Sequence, residues 1–165
     1  MKDKVRFSIY SWVVTAAVLI IFAVMIILLF LDHEDHEKKV LITVMFALVI
    51  LSGLYYCPTS VEATQNRITL HRLLARSKSF DYSDIQAVDT CYPSAGGLRL
   101  CGSGGFFGYW GYFSDIMIGT YFGYYGSRDS CFLIRLKNSR QYVIGCENPV
   151  AMVGYIQSQM DKSDR

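Results

Sequence analysis

The sequence predicts an α-helical hairpin embedded in a membrane, followed by an α+β domain of short strands that ends on one helix. Uncharged apolar runs extend over Trp12–Leu31 and Val40–Tyr56, and these predict the hairpin. Beyond them, apolar and polar residues alternate with a period of two, which is typical of strands with one buried face. We therefore divide the chain into a transmembrane hairpin over residues 1–56 and a second domain over residues 57–165.

Each apolar run has the length of a membrane span. At a rise of about 1.5 Å per residue, the first run covers roughly 30 Å and the second roughly 25 Å, against a hydrocarbon core of about 30 Å. The residues after the first run, Phe30-Leu31-Asp32-His33, offer no small-residue cleavage site, so we expect this helix to stay as an anchor. We place the helices at about residues 10–31 and 40–56.

Basic residues indicate how the hairpin is oriented. Both flanks of the hairpin are basic, whereas the connector over residues 32–39 carries two lysines beside four acids. Because Lys and Arg resist translocation, both termini are expected in the cytoplasm. The five cysteines all follow residue 56 and form no C-x-x-C pair, which fits free thiols in a reducing compartment. The flanking basic residues are Lys2, Lys4, Arg6, Arg67, Arg72 and Arg76.

The second domain reads as about seven short strands and one helix. Gln65-Asn66 and Asn138-Ser139 predict the turns of two hairpins, and Asn148-Pro149 predicts the start of an amphipathic C-terminal helix. The expected strands are Ser60–Thr64, Arg67–Leu74, Lys78–Tyr82, Asp84–Cys91, Gly97–Ser103, Tyr121–Tyr125, Ser130–Lys137 and Gln141–Cys146.

This order of strands resembles a small antiparallel barrel closed by a C-terminal helix, as in pleckstrin-homology-like domains. The chain is similar to bacterial two-helix membrane proteins with such a domain, through the segments at residues 56–64, 84–88 and 102–109 (YCPTSVEAT, DIQAV and GSGGFFGY). The resemblance implies a multi-pass protein of the bacterial inner membrane. It also implies a binding or assembly scaffold, not an enzyme.

One segment is strongly biased in composition. Residues 102–126 hold 8 of the 13 glycines and 10 of the 24 aromatic residues. The glycines permit an open loop that presents rings to a protein partner, a second copy of the chain or the membrane surface. The alternative is that the rings fold back and plug one end of the barrel. The rings predicted to bind are Phe106, Phe107, Tyr109, Trp110, Tyr112 and Phe113.

No catalytic residue, cofactor or metal site is predicted. Gly102–Gly105 lacks the later glycine and the Gly-Lys-Ser/Thr of nucleotide-binding loops, and His71 has no local nucleophile. His and acidic side chains over Asp32–Glu37 form a candidate metal site, but a solvated connector explains them better. A formal net charge of +2 without a basic block argues against nucleic acid as a partner.

Lipid contact is the main alternative to protein contact. Pleckstrin-homology relatives bind inositol phosphates through basic residues that flank the first hairpin, but here the corresponding turn is Gln65-Asn66 with Arg67 beside it. Arg76 and Lys78 lie on the next turn and are the candidates for contact with anionic lipid. We expect a non-catalytic scaffold first, a lipid-surface sensor second and an enzyme third.

Overall fold

The computed structural model describes residues 1–31 and 36–163. It contains two N-terminal helices, a four-stranded sheet, a six-stranded sheet and a C-terminal helix. The elements are β1 (Lys2–Lys4), α1 (Ile9–Leu31), α2 (His36–Tyr56), β2 (Pro58–Ala63), β3 (Arg67–Arg72), β4 (Lys78–Asp81), β5 (Ile85–Cys91), β6 (Leu98–Gly105), β7 (Gly108–Asp115), β8 (Gly119–Tyr125), β9 (Cys131–Leu136), β10 (Gln141–Gly145) and α3 (Pro149–Ser163), with a 3₁₀ turn at Tyr82–Asp84.

Both N-terminal helices are long and apolar enough to cross a membrane, with 6% of the most apolar stretch of each buried. Phe22 of α1 stacks on Phe46 of α2 at a centroid distance of 4.3 Å, so the two helices pack side by side. Helix α2 begins at His36, four residues earlier than expected. Its first turn includes Glu37, and an acid there favours helix formation through the helix dipole.

The first sheet has the order β1-β2-β3-β4 and is antiparallel throughout. The expected hairpin around Gln65-Asn66 is confirmed, because β2 pairs with β3 from Ala63 opposite Ile68. Strand β1 was not expected, since Lys2-Asp3-Lys4 carries no apolar residue. It pairs at the sheet edge, where charged side chains are tolerated, with Lys2 opposite Glu62.

The second sheet is mixed and has the order β5-β9-β10-β8-β7-β6. Strand β8 runs parallel to β10, with Phe122 opposite Tyr142, and all other pairs are antiparallel. The expectation of about seven antiparallel strands in one closed barrel is therefore corrected to ten strands in two sheets. The additional strands are β1 and β7, and the α+β character and the C-terminal helix are as expected.

Both faces of the second sheet are buried at its central strands β9 and β10. One face packs Phe132, Ile134 and Ile144 against the first sheet and α3. The other face holds a second cluster with Tyr125, Leu133 and four further aromatic or aliphatic neighbours: Tyr109, Phe113, Tyr121 and Val143. Burial on both sides explains why β9 reads as the near-continuous apolar run Cys-Phe-Leu-Ile and not as an alternating strand.

The second sheet is strongly curled. Strands β5 and β6 occupy opposite edges of the sheet, yet only residues 92–97 connect them. Six flat strands are about 24 Å wide, and this connection is shortened further by a turn in which the Gly97 N–H donates to the Ser94 carbonyl. The Ser94 N–H also donates to Asp115 at the end of β7 (2.8 Å). The two edges must therefore approach each other around the second cluster.

The glycine- and aromatic-rich segment is a β-hairpin, which corrects the expected open loop. Strands β6 and β7 pair over their full length and meet at a turn through Phe106-Phe107. Gly102 and Gly111 lie opposite each other with φ of 124° and 118°. A Cβ at either position would lie 2.1 Å from a carbonyl oxygen of the opposite strand. These glycines thus permit close strand pairing and do not provide loop freedom.

Candidate functional site at the junction of helices and sheets

Four segments meet where the helices join the sheets, and we call this region the junction. They are the first two turns of α1, the last turn of α2, the tip of the β6–β7 hairpin and the β3–β4 turn at residues 73–77. The helices have short attachments to the sheets: only Cys57 lies between α2 and β2, and the Val5 N–H donates to the Thr59 carbonyl at 3.0 Å. The ends of both helices are therefore fixed to the same sheet.

Helix α1 contacts the β8–β9 connection and the tip of the hairpin through two small polar residues one turn apart. Ser11 Oγ donates to the Gly126 carbonyl (3.0 Å), and Thr15 Oγ1 accepts from the Phe107 N–H (2.9 Å). Thr15 Oγ1 also donates to the Ser11 carbonyl of its own helix (2.7 Å). Both residues are buried. Because Ser and Thr are short, the backbone at Gly126 and at Phe107 can approach α1 closely enough for these bonds.

Helix α2 contacts the same hairpin through a glycine and an aromatic stack. A Cβ on Gly53 would lie 2.6 Å from Phe107 and 2.9 Å from Phe106, so these rings occupy the space beside the glycine. Three residues further along α2, Tyr56 stacks on Trp110 with centroids 4.8 Å apart. Trp110 Nε1 donates to the Phe106 carbonyl (3.1 Å). The tip of the hairpin therefore lies against both helices.

The six rings predicted to bind occupy three environments. Phe106, Phe107 and Trp110 are half-buried in the junction, and Tyr109 and Phe113 are buried in the second cluster. Tyr112 alone of the six points outward, with 53% of its surface exposed and its ring edge-to-face on Phe122 (4.8 Å). Five of the six rings therefore pack inside the protein, three in the junction and two in the second cluster. Sequence patterns did not distinguish these two locations.

The β3–β4 turn also lies at the end of α2. The Leu73 N–H donates to the Cys57 carbonyl (3.0 Å), and Leu73 and Leu74 are both exposed. Arg72 donates to the carbonyl of Arg76 across this turn. Exposed leucines between two arginines are typical of a segment that touches a membrane surface. This Leu-Leu pair was expected at the end of a strand, but β3 ends at Arg72.

The two residues predicted to contact anionic lipid differ in their availability. The Arg76 side chain is exposed on the β3–β4 turn. Lys78 instead folds back on the domain, where Nζ lies 4.2 Å from the centroid of the Tyr142 ring and 3.1 Å from its hydroxyl. Arg76 is therefore the one of the two whose charge faces solvent.

A second exposed apolar surface lies at the opposite end of the β6–β7 hairpin. Ile116 and Met117, in the β7–β8 turn, are 99% and 88% exposed. Leu98 and Leu100 of β6 are also exposed, and Leu98 pairs with Ser114 at this end of the hairpin. The signal for this surface was the apolar stretch Ile116–Ile118 between Asp115 and Gly119, because turns are normally polar.

The buried thiols have the properties of packing residues. Burial raises the pKa of Cys57 to about 11 and that of Cys146 to about 12. Burial also raises the pKa of Cys91 to about 12. A thiolate is the reactive form of cysteine, so these groups are poor nucleophiles at neutral pH. Within residues 1–31 and 36–163, His, Cys, Asp and Glu side chains form no cluster of three with metal-binding geometry.

The predicted metal candidate at Asp32–Glu37 lies mostly outside the described residues, and His36 and Glu37 belong to the first turn of α2. The junction itself offers apolar, aromatic and basic contacts. Comparisons with protein families, with curated proteins and with solved structures find no match to this chain.

Proposed function

We propose that this chain is an integral protein of the bacterial inner membrane whose two helices cross the bilayer as a hairpin. In this proposal they hold a non-catalytic interaction domain against the cytoplasmic face, where it assembles with protein partners. The two-sheet domain and its terminal helix are compatible with a pleckstrin-homology-like origin, although the parallel β8–β10 pair departs from the antiparallel pattern. The inert thiols support a scaffold role over an enzymatic one.

The observation that carries the proposal is that β1 precedes α1 and pairs with β2, which follows α2. This pairing brings the N-terminal end of α1 and the C-terminal end of α2 to one sheet. If the helices span a bilayer, the N-terminus and the sheet domain must therefore lie on the same side. The basic residues near these ends favour the cytoplasmic side.

Membrane washing and thiol labelling test this orientation. Carbonate at high pH should leave the full chain in the membrane fraction. In intact cells an impermeant maleimide should label the Glu34→Cys variant in the connector, whereas the exposed thiol of Cys101 should react only after permeabilisation. Cys101 thus serves as the internal control. Release by carbonate, or labelling of Cys101 from outside, would contradict the proposal.

For the protein contact, we propose the outer side of the β6–β7 hairpin. Tyr112 lies opposite Cys101 in the pairing of β7 with β6, next to exposed Leu98 and Leu100. A Leu100→Ser, Tyr112→Ser double variant should lose a stoichiometric partner in mild detergent while its thermal unfolding stays cooperative. A Leu74→Ser variant, at the junction, should keep that partner. Equal retention by both variants would exclude this surface.

Contact with lipid is a second candidate, favoured by the exposed Leu73-Leu74 pair beside α2. A nitroxide attached through a Leu74→Cys substitution, in a Cys101→Ser background, should collide with oxygen, which concentrates in lipid. The same label on Cys101 should collide with water-soluble nickel chelate. If the label at residue 74 behaves like the label at residue 101, the turn lies in water and this candidate fails.

A further inference from the structure

An open cavity of about 420 Å³ lies beside the N-terminus of α1. Neither Ser11 nor Thr15 lines it. Helix α1, the β6–β7 hairpin and the connection between β8 and β9 all contribute to its walls. The lining residues are Ser8, Tyr10, Tyr109, Ser127, Arg128 and Asp129.

The backbone at this end of α1 offers free donors. Ser8 caps the helix, since its Oγ accepts from the Ser11 N–H and its carbonyl accepts from the Trp12 N–H, both at 3.2 Å. Within the described part of the chain, the N–H groups of Ile9 and Tyr10 have no acceptor. The helix dipole adds a partial positive charge at the same place, which favours an anion.

Two side chains point independently to a ligand in this cavity. Ser127 is 8% exposed, yet among the described residues its hydroxyl has no hydrogen-bond partner, and it lines the cavity. The Arg128 guanidinium lies over the Tyr109 ring, 4.9 Å from its centroid, and no described carboxylate lies within ion-pair distance of it. Because Ser127 lines the open cavity, its hydroxyl is available to donate a hydrogen bond to a bound group.

We propose that this cavity binds a phosphate group, through the Arg128 guanidinium, the Ser127 hydroxyl and the N-terminal amides of α1. Arg offers paired donors that match phosphate oxygens. The group can belong to an anionic lipid or to a soluble phosphate. Assignment to a lipid rests on the proposed function, because α1 then enters the bilayer directly below the cavity. Asp129, which is exposed at the rim, opposes the anion and weakens its binding.

Calorimetry on the full chain in nonionic detergent tests the site, with short-chain phosphatidylglycerol and inorganic phosphate as probes. Arg128→Gln should weaken binding about tenfold or more, as expected for loss of a charge-assisted hydrogen bond. Asp129→Asn should strengthen binding about threefold, because it removes a repelling charge from an exposed position. Arg140→Gln is the matched control, since Arg140 is exposed in the turn at the opposite end of β9.

The outcomes test two questions separately: whether the site exists, and whether its phosphate comes from a lipid or from a soluble compound. Saturable binding of the lipid with weaker binding of inorganic phosphate assigns the lipid source, and equal binding assigns a soluble phosphate. No saturable binding of either probe overturns the proposal, as does equal weakening by Arg128→Gln and Arg140→Gln. If Arg128→Gln does not fold, an Asp129→Asn affinity equal to that of the natural chain overturns it. Release of the chain by carbonate with binding retained in detergent refutes the membrane assignment alone.

Discussion

Replacing Thr15 by Val should loosen the junction without changing its shape. Val has nearly the volume of Thr but lacks the hydroxyl that accepts from the Phe107 N–H at 2.9 Å. Ser11 loses little, because its carbonyl still accepts the helical bond from the Thr15 N–H. The Phe107 N–H is then left without an acceptor beside a residue that is 8% exposed. An unsatisfied buried donor costs about 2 kcal/mol, or about thirtyfold in the opening equilibrium of the junction.

Amide hydrogen exchange on the full chain in detergent measures this cost directly. The Phe107 amide should exchange about thirtyfold faster in the Thr15→Val variant, whereas amides in the core of β9 should keep their rates. Thr43→Val is the matched control: Thr43 lies in α2, and its hydroxyl donates to the Lys39 carbonyl one turn earlier in the same helix. Removing such a bond changes helix stability little.

Two results would refute the reasoning. Unchanged exchange at Phe107 in the Thr15→Val variant would show that α1 does not hold the hairpin through this hydroxyl. Equal acceleration in the Thr15→Val and Thr43→Val variants would show that loss of any helical hydroxyl loosens the chain. In either case the hydrogen bonds between α1 and the hairpin would not be what couples the helices to the sheets.

Four further predictions concern the sheet domain. Gly111→Ala should abolish cooperative thermal unfolding, because its Cβ would lie 2.1 Å from the Cys101 carbonyl oxygen at a φ of 118°, whereas Gly96→Ala, which meets open space, should leave the melting temperature unchanged. At pH 8 a thiol reagent should modify one group per chain rapidly, the exposed Cys101, and a Cys101→Ser variant should lose that fast phase. Because buried thiols such as Cys91 have a pKa raised from 9.0 to about 12, the stability they contribute should be complete below pH 9 and lost as the pH rises toward 12, as denaturant titrations can show. For Asp115, burial acts to raise the pKa, but hydrogen bonds to its carboxylate outweigh burial and lower the pKa below 3.8. Its stabilising effect should therefore be lost only as the pH falls below that value, and Asp115→Asn should remove that acid dependence.

The helices, two hairpins and the terminal helix could be predicted because each depends on a local pattern. The helix expected at about residues 10–31 agrees with α1 to within one residue at each end, and Gln65-Asn66 and Asn138-Ser139 located the turns. Pro149 begins α3, as its fixed φ and missing N–H favour the first helical position. In each case neighbouring residues in the sequence contain the whole signal.

The junction could not be predicted, since its contacts join residues about 90 positions apart. Thr15 and Phe107 carry no local mark of their bond, and an aromatic-rich hairpin has the same composition whether its rings face solvent or a helix. Some signals were nevertheless present. Ser11 and Thr15 are polar residues one turn apart in or beside an apolar run, and Gly53 interrupts the second run at the same end. Small residues on such helices often mark close packing.

Short attachments at the junction join the helices to the proposed interaction domain. A domain on a flexible linker samples many heights and angles above a membrane. Here α2 is separated from β2 by Cys57 alone, and the chain before α1 is held by backbone bonds from Val5 and Ser8. The exposed Leu100 lies five residues along β6 from Gly105 at the junction, or about 17 Å. A partner bound at this end of the hairpin would therefore be held at a fixed distance and angle from the helices, and any tilt of the helices would move the partner with them.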